Sequence, residues 1–160
     1  MARVTTDIRL TSPAFEPGQP IPQRYTADGQ NQSPPLEWGD PPAGTKGFAL
    51  VCEDPDAPKG LFTHWLAFNL PADARELGLG LPKDLRLADG TVQGTNGFGT
   101  VGYGGPSPPP GKPHHYIFRL SALDARLDLP PRTSRDELTT AMLDHVLAEG
   151  ELVGTYGRPG

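Results

Sequence analysis

At 160 residues and 17.1 kDa the chain is long enough for one domain with a substantial core, and a single domain over 1–160 is the expectation. A net charge of −5 and a pI near 5.3, without any run or stripe of basic residues, exclude nucleic acid or an anionic membrane as the main partner. No apolar run approaches the roughly 20 residues of a membrane span, and none near Met1 forms a secretory signal, so a cytoplasmic protein without integral membrane contact is expected.

Gly and Pro, 20 of each, cluster between apolar segments, the pattern of an ordered, loop-rich β protein rather than a disordered one. A first strand is predicted over Thr5–Thr11, followed by a Pro/Gly-rich stretch through Pro22. Residues Asn31–Gly44 (NQSPPLEWGDPPAG) read as an extended covering loop, and the formal glycosylation sequon at Asn31 carries no weight beside Pro34. Three strand-like runs follow, Phe48–Pro58, His64–Asn69 and His114–Leu123; the first contains the lone Cys52, expected as a buried, inert thiol. Pro71–Gly94 has no clear periodicity. Asn96–Gly111 reads as a loop; its Gly97-Phe-Gly-Thr-Val-Gly102 matches the dinucleotide fingerprint by letter, but Tyr103-Gly-Gly-Pro106 cannot open the helix that nucleotide binding requires. Ser134-Arg-Asp-Glu137 is a capping box, and Leu138, Ala141, Met142 and Val146 form a helical face with Gly150 as its stop and His145 on its flank. Glu151–Tyr156 reads as a last short strand. The ladder of strands and loops predicts a mainly β fold with minor α, built on a mainly antiparallel sheet.

Strand side chains alternate between faces, so residues two apart share one. Asp54 extends the row Phe48, Leu50, Cys52; His64 heads Leu66 and Phe68; His114 and Tyr116 head Phe118 and Leu120. Side by side, these strands would gather Asp54, His64, His114 and Tyr116 into one polar pocket at the rim of an apolar core. The prolines of Asp54-Pro-Asp-Ala-Pro58 give this corner a rigid, extended exit. Two histidines and an aspartate also raise a metal site, yet no H-x-x-H or H-x-x-x-H pair occurs and His114 and His115 point to opposite faces, so no metal ligand or cofactor is assigned. A serine in a nucleophile elbow is likewise missing.

These pieces resemble the phosphatidylethanolamine-binding proteins, in particular the bacterial Raf-kinase-inhibitor-like branch. The similar blocks are Ser12–Gly18, Ile21–Leu36, Asp54–Pro58, His64-Trp65, Gly102–Pro110, His114–Asp124 and Leu152–Arg158. The resemblance implies a large antiparallel sheet packed with a smaller sheet and one or two helices. It implies a small anion pocket in which Asp54, His64, His114 and Tyr116 match the lining, and Pro58, Gly105 and Pro106 match positions that shape the rim. It also implies a cis Ala57-Pro58 peptide. Phe62 stands where animal members carry a tryptophan. The chain ends ten residues after Gly150, without the C-terminal helix that partly covers the pocket in animal members, and its Gly105–Pro113 loop follows the bacterial pattern. The resemblance therefore does not by itself extend to their kinase inhibition; modulation of a phosphoprotein, kinase or protease partner stays open.

Two uses of the pocket follow. The first is binding of a phosphate or phosphoryl head group, with imidazolium and tyrosine donors, Gly105-loop amides, and Asp54 orienting His64 or His114. The alternative is a hydrolase, metal-assisted or not, using the same cluster as acid and base. A protein partner meeting the Pro-rich loop Asn31–Pro42, and a homodimer expected from the resemblance, complete the expectations.

Overall fold

The computed structural model of the chain describes residues 6–159. The three predicted runs become β4 (Gly47–Asp54), β5 (Phe62–Pro71) and β8 (His114–Leu123). With β1 (Thr6–Asp7), β7 (Val92–Gln93) and β9 (Val146–Tyr156) they form a six-stranded sheet in the order β1-β9-β8-β4-β5-β7. Every pairing in it is antiparallel except β1 with β9. A smaller antiparallel sheet, β2-β3-β6, joins Leu10–Thr11, Leu36–Trp38 and Glu76–Leu77.

Both faces of the large sheet are covered, which is why β4 is buried at every position. On one face Phe48, Leu50, Cys52, Trp65, Phe118 and Leu120 pack with Leu10, Leu36, Trp38 and Leu77 of the small sheet. On the other, Ala49, Val51, Leu66, Phe68 and Leu123 pack with Leu138 and Met142 of the helix α1 (Arg135–Met142). Cys52 is buried and free, and burial pushes its thiol well above the usual range.

Several boundaries differ from the sequence reading. The predicted first strand is interrupted between β1 and β2, and its first residue, Thr5, lies outside the described residues. The covering loop contains β3, whose alternating Leu36, Glu37, Trp38 places two apolar side chains inward and one charge outward. The unplaced connection supplies β6 and β7. The capping box forms as expected: Ser134 Oγ accepts from the Glu137 amide (3.2 Å) and Glu137 Oε1 from the Ser134 amide (3.0 Å). The helix ends eight residues on, however, where Asp144 takes a left-handed φ of 68° and the chain reverses into β9. Val146 thus serves the same apolar cluster from a strand, and Gly150 is a sheet residue opposite Leu120. A Cβ at Gly150 would collide with the Ile8 carbonyl, so the glycine lets β1 approach rather than stopping a helix. His145 donates from Nδ1 to Asp124 (2.8 Å) in the reversal. No cis peptide bond occurs among the described residues, which corrects the expectation for Ala57-Pro58.

Candidate functional site

Asp54, at the end of the central strand β4, has β8 on one side and β5 on the other. Cys52 pairs with Trp65, and Asp54 pairs with Phe62; two steps on β4 therefore face three on β5. This is a β-bulge, and it changes which way His64 points. Strict alternation would align His64 with Leu66 and Phe68, which lie on the helix-covered face. The extra residue instead brings His64 to the face of Trp65 and Cys52, beside Tyr116 (ring centroids 5.1 Å apart). The predicted cluster is assembled, but by a bulge that alternation did not contain.

A cavity of about 380 Å³ opens there, lined by Asp54, Ala57, Pro58, Phe62, His64, Phe98, Ser107, Pro108, Pro109, His114, Tyr116 and Arg158. Asp54, His64, His114 and Tyr116 are each less than a tenth exposed. Both Asp54 oxygens are engaged: Oδ1 accepts from the Asp56 amide (2.7 Å), and Oδ2 accepts from His114 Nδ1–H (2.6 Å). Asp54 therefore orients His114. His64 is oriented differently, its Nδ1–H donating to the Gly104 carbonyl at 2.6 Å. A carbonyl can only accept, so the tautomer of neutral His64 is fixed with its lone pair on Nε2. Neither Nε2 hydrogen-bonds to any described protein atom, and the buried Tyr116 hydroxyl has no partner among the described residues.

Aromatic rings explain the electrostatics of His64. Phe62 stands 4.9 Å, Tyr116 5.1 Å and Phe98 5.7 Å from its centroid. Burial among them outweighs the Gly104 hydrogen bond and lowers the His64 pKa below 6.5. Burial likewise raises the pKa of Tyr116, so its oxygen stays a donor at neutral pH. Asp56 faces outward and accepts from the amide and Nδ1–H of exposed His115, which holds its carboxyl below the usual range.

Of the rim candidates, Gly105 and Pro106 brace the wall rather than line it. The Gly105 amide donates to Asn31 Oδ1 (2.7 Å), so it is engaged within the protein, and a Cβ there would meet Tyr25 and Asn31. The buried Pro106 accepts the Ala27 amide through its carbonyl (2.9 Å). Pro58, the third rim candidate, lines the cavity.

Phe98 and Arg158 were not among the predicted lining. Phe98 projects from a turn tied by Asn96, whose Oδ1 accepts the Phe98 amide (2.9 Å) and whose Nδ2 donates to Gly102 O (2.9 Å). A Cβ at Gly97 would strike the Phe62 ring and one at Gly104 the Phe98 ring, so these glycines let aromatic rings lie on backbone. An aromatic flanked by glycines was the available signal. Arg158 fastens the opposite wall: its Nε and Nη2 donate to Asp28 (3.0 and 2.7 Å), and its Nη1 donates to Pro108 O (3.0 Å). Tyr156 O–H adds a 2.6 Å bond to Asp28, and together these bonds hold the Asp28 carboxyl below the usual range.

A second cavity of about 360 Å³ lies on the helix side of the sheet, where buried Glu53 accepts from Arg119 (3.1 Å) and Arg135 (3.0 Å). Among the described residues no cluster of three or more His, Cys, Asp or Glu side chains is arranged to hold a metal ion. No helix among them is long and apolar enough to cross a membrane.

Residues 11–157 match the family model described as "Phosphatidylethanolamine-binding protein". The chain is 50% identical over 151 residues to a UPF0098 protein of Methanothermobacter thermautotrophicus, covering 94% of this chain and 99% of the relative. A UPF0098 protein of Aquifex aeolicus is 45% identical over 153 residues, with 94% and 89% covered. Among solved structures, YbcL of E. coli, a member of the mammalian PEBP family, superposes with a TM-score of 0.88 at 33% identity, covering 95% of this chain and 99% of its own. A PEBP homologue from Chlamydia trachomatis gives 0.86 at 37% identity, covering 96% and 99%.

Proposed function

The chain belongs to the phosphatidylethanolamine-binding protein family, and from that premise we propose that the Asp54–His114 cavity binds the phosphoryl group of a small phosphate ester. One observation carries the reading. His64, His114 and Tyr116 line one cavity, and among the described residues neither Nε2 nor the Tyr116 hydroxyl has a hydrogen-bond partner, while both Nδ1 atoms are held in place. Preorganised groups of this kind suit the oxygens of a tetrahedral anion, and hydrogen bonds to a charged oxygen are roughly twice as strong as neutral ones.

The charges decide how binding depends on pH. Asp54 contributes one negative charge, and Arg158 is matched by Asp28. His64 is neutral at pH 7 because burial lowers its pKa. A phosphate dianion therefore enters favourably when a proton accompanies it, on one of the two histidine Nε2 atoms or on the phosphate itself. Affinity falls as pH rises, by up to about tenfold per pH unit for one proton taken up.

The apolar rim of Phe62, Phe98, Pro58 and Pro109 suits an ester substituent more than bulk water. A lipid head group and a phosphorylated side chain share the phosphoryl chemistry; the latter is how the pocket would engage a kinase, protease or other phosphoprotein. The test is NMR of the histidine ring protons during titration at pH 6 and pH 8. Inorganic phosphate, glycerophosphoethanolamine and a phosphotyrosine peptide serve as separate titrants. Saturable shifts at His64 and His114, stronger at pH 6, are expected, and the tightest titrant names the source. Absence of shifts with all three titrants at both pH values refutes the reading.

A further inference from the structure

We propose that His64 is a phosphoryl acceptor: Nε2 takes a phosphoryl group from a small activated donor, an acyl phosphate or phosphoramidate, with His114 protonating the leaving group. The inference rests on the phosphoryl-binding reading and adds a covalent step to it.

A nucleophilic imidazole needs a fixed tautomer, a free lone pair and an unprotonated ring at working pH. His64 meets all three. Its Nδ1–H is committed to the Gly104 carbonyl at 2.6 Å, Nε2 has no partner among the described residues, and the aromatic enclosure keeps the ring neutral. Exposed His115 and half-buried His145 are tied through Nδ1 to carboxylates, Asp56 and Asp124. Among the four histidines His64 alone gives its Nδ1–H to a neutral acceptor.

The partner acid stands two strands away. His64 is on β5 and His114 on β8, with β4 between them. At about 4.8 Å per strand spacing their backbones are roughly 10 Å apart. That gap lets two inward-reaching rings flank a tetrahedral phosphoryl group from opposite sides. Asp54 holds the Nδ1–H of His114 at 2.6 Å, so the proton this ring gives up comes from Nε2 on the cavity side, with the Asp54 carboxylate beside the ring.

The Nε2 lone pair of His64 attacks phosphorus; the bond from phosphorus to the leaving oxygen or nitrogen breaks, and its electron pair stays with that atom. The leaving atom takes the Nε2 proton of His114. His64 becomes an Nε2-phosphorylated ring with its Nδ1–H retained, and the positive charge developing on that ring strengthens the bond to Gly104 O. This interaction grows from ground state to transition state, as catalysis requires. The Tyr116 hydroxyl supplies a donor to a phosphoryl oxygen.

The experiment exposes the full-length chain at pH 7 to phosphoramidate and maps phosphohistidine by mass spectrometry. A parallel inorganic phosphate titration is followed by histidine NMR. Non-specific chemistry would label exposed His115 and half-buried His145 ahead of His64, which is 3% exposed, so the folded protein carries its own control. The expected result is an acid-labile, base-stable label at His64, formed at least tenfold faster than at His115 or His145. Denaturation should abolish that preference, and His114→Asn should slow the labelling at least tenfold. His114→Asn labelling at the native rate overturns the acid role. Labels confined to His115 and His145, or none, while phosphate still shifts His64 and His114, overturn the covalent step and leave phosphoryl binding intact. No label and no phosphate shift overturn both.

Discussion

Tyr116 presents an uncommon balance of costs. Its ring packs in the core between the two sheets, while its buried hydroxyl has no hydrogen-bond partner among the described residues. An unmade bond of this kind costs about 1–3 kcal/mol of desolvation in the free protein. Tyr116→Phe should therefore leave thermal stability unchanged or slightly raised, yet weaken phosphate binding about tenfold, roughly the 1.4 kcal/mol of one good hydrogen bond. Calorimetric melting and phosphate titration of the same variant check both halves. His64 makes the complementary case through pH. Its folded pKa lies below the unfolded 6.5, so near and below pH 6.5 the unfolded chain binds a proton that the folded chain does not. The stabilising contribution is full above pH 6.5 and is lost as pH falls toward the folded pKa. Denaturant titrations across pH 5 to 8 should show a steeper acid limb for the native chain than for His64→Gln.

The bulge between β4 and β5 decides whether His64 serves the pocket at all. Thr63 pairs with Glu53 and His64 is the residue that β4 cannot match, so deleting Thr63 moves His64 opposite Glu53 and restores two-for-two pairing. The imidazole should then turn to the helix-covered face, and phosphate affinity should fall to that of His64→Gln while the far-UV spectrum stays native. Retained affinity in the deletion would show that the bulge does not aim the ring. This is also where the sequence stops being readable. Asp54, His114 and Tyr116 follow from apolar alternation on β4 and β8, strands that pair in continuous register. Nothing in Phe62-Thr63-His64-Trp65 marks a bulge, because the extra residue is defined by its partner strand. The helix shows the same division. Its start is legible because the capping box is a local hydrogen-bond exchange. Its end is not, because Val146 satisfies the apolar cluster equally from the first position of β9. Helix and sheet are tied by buried Glu53, held by Arg119 and Arg135. Both arginines are about one third exposed and can turn to water, which discounts the 3–5 kcal/mol cost of breaking a fully buried pair. Glu53→Ala should lower stability by about 2 kcal/mol. Because Glu53 faces the helix, phosphate affinity should not change, and chemical denaturation beside a phosphate titration tests this.

The cavity draws its polar groups from β4, β5 and β8, the three strands around which the whole sheet is ordered. Losing any one of them dismantles the site, so a ligand held there opposes global unfolding rather than local fraying. At phosphate concentrations a hundredfold above Kd this linkage adds about 2.7 kcal/mol. For a chain of this length that is a rise of roughly 5–10 °C in Tm. The gain should be larger at pH 6 than at pH 8 for a fixed phosphate concentration, since binding takes up a proton. The walls behave differently. Phe98 on its glycine turn and the Ser107–Pro109 segment fastened by Arg158 are loops, and their opening need not disturb the sheet. Hydrogen exchange with and without phosphate separates the two. Amides of β4, β5 and β8 should gain protection in parallel with the rise in Tm, because their slowest exchange requires global unfolding. The amides of 96–100 should gain protection by a different factor, set by their own opening equilibrium. Protection confined to the loops, with no rise in Tm, would place the bound phosphate outside the strand-built pocket.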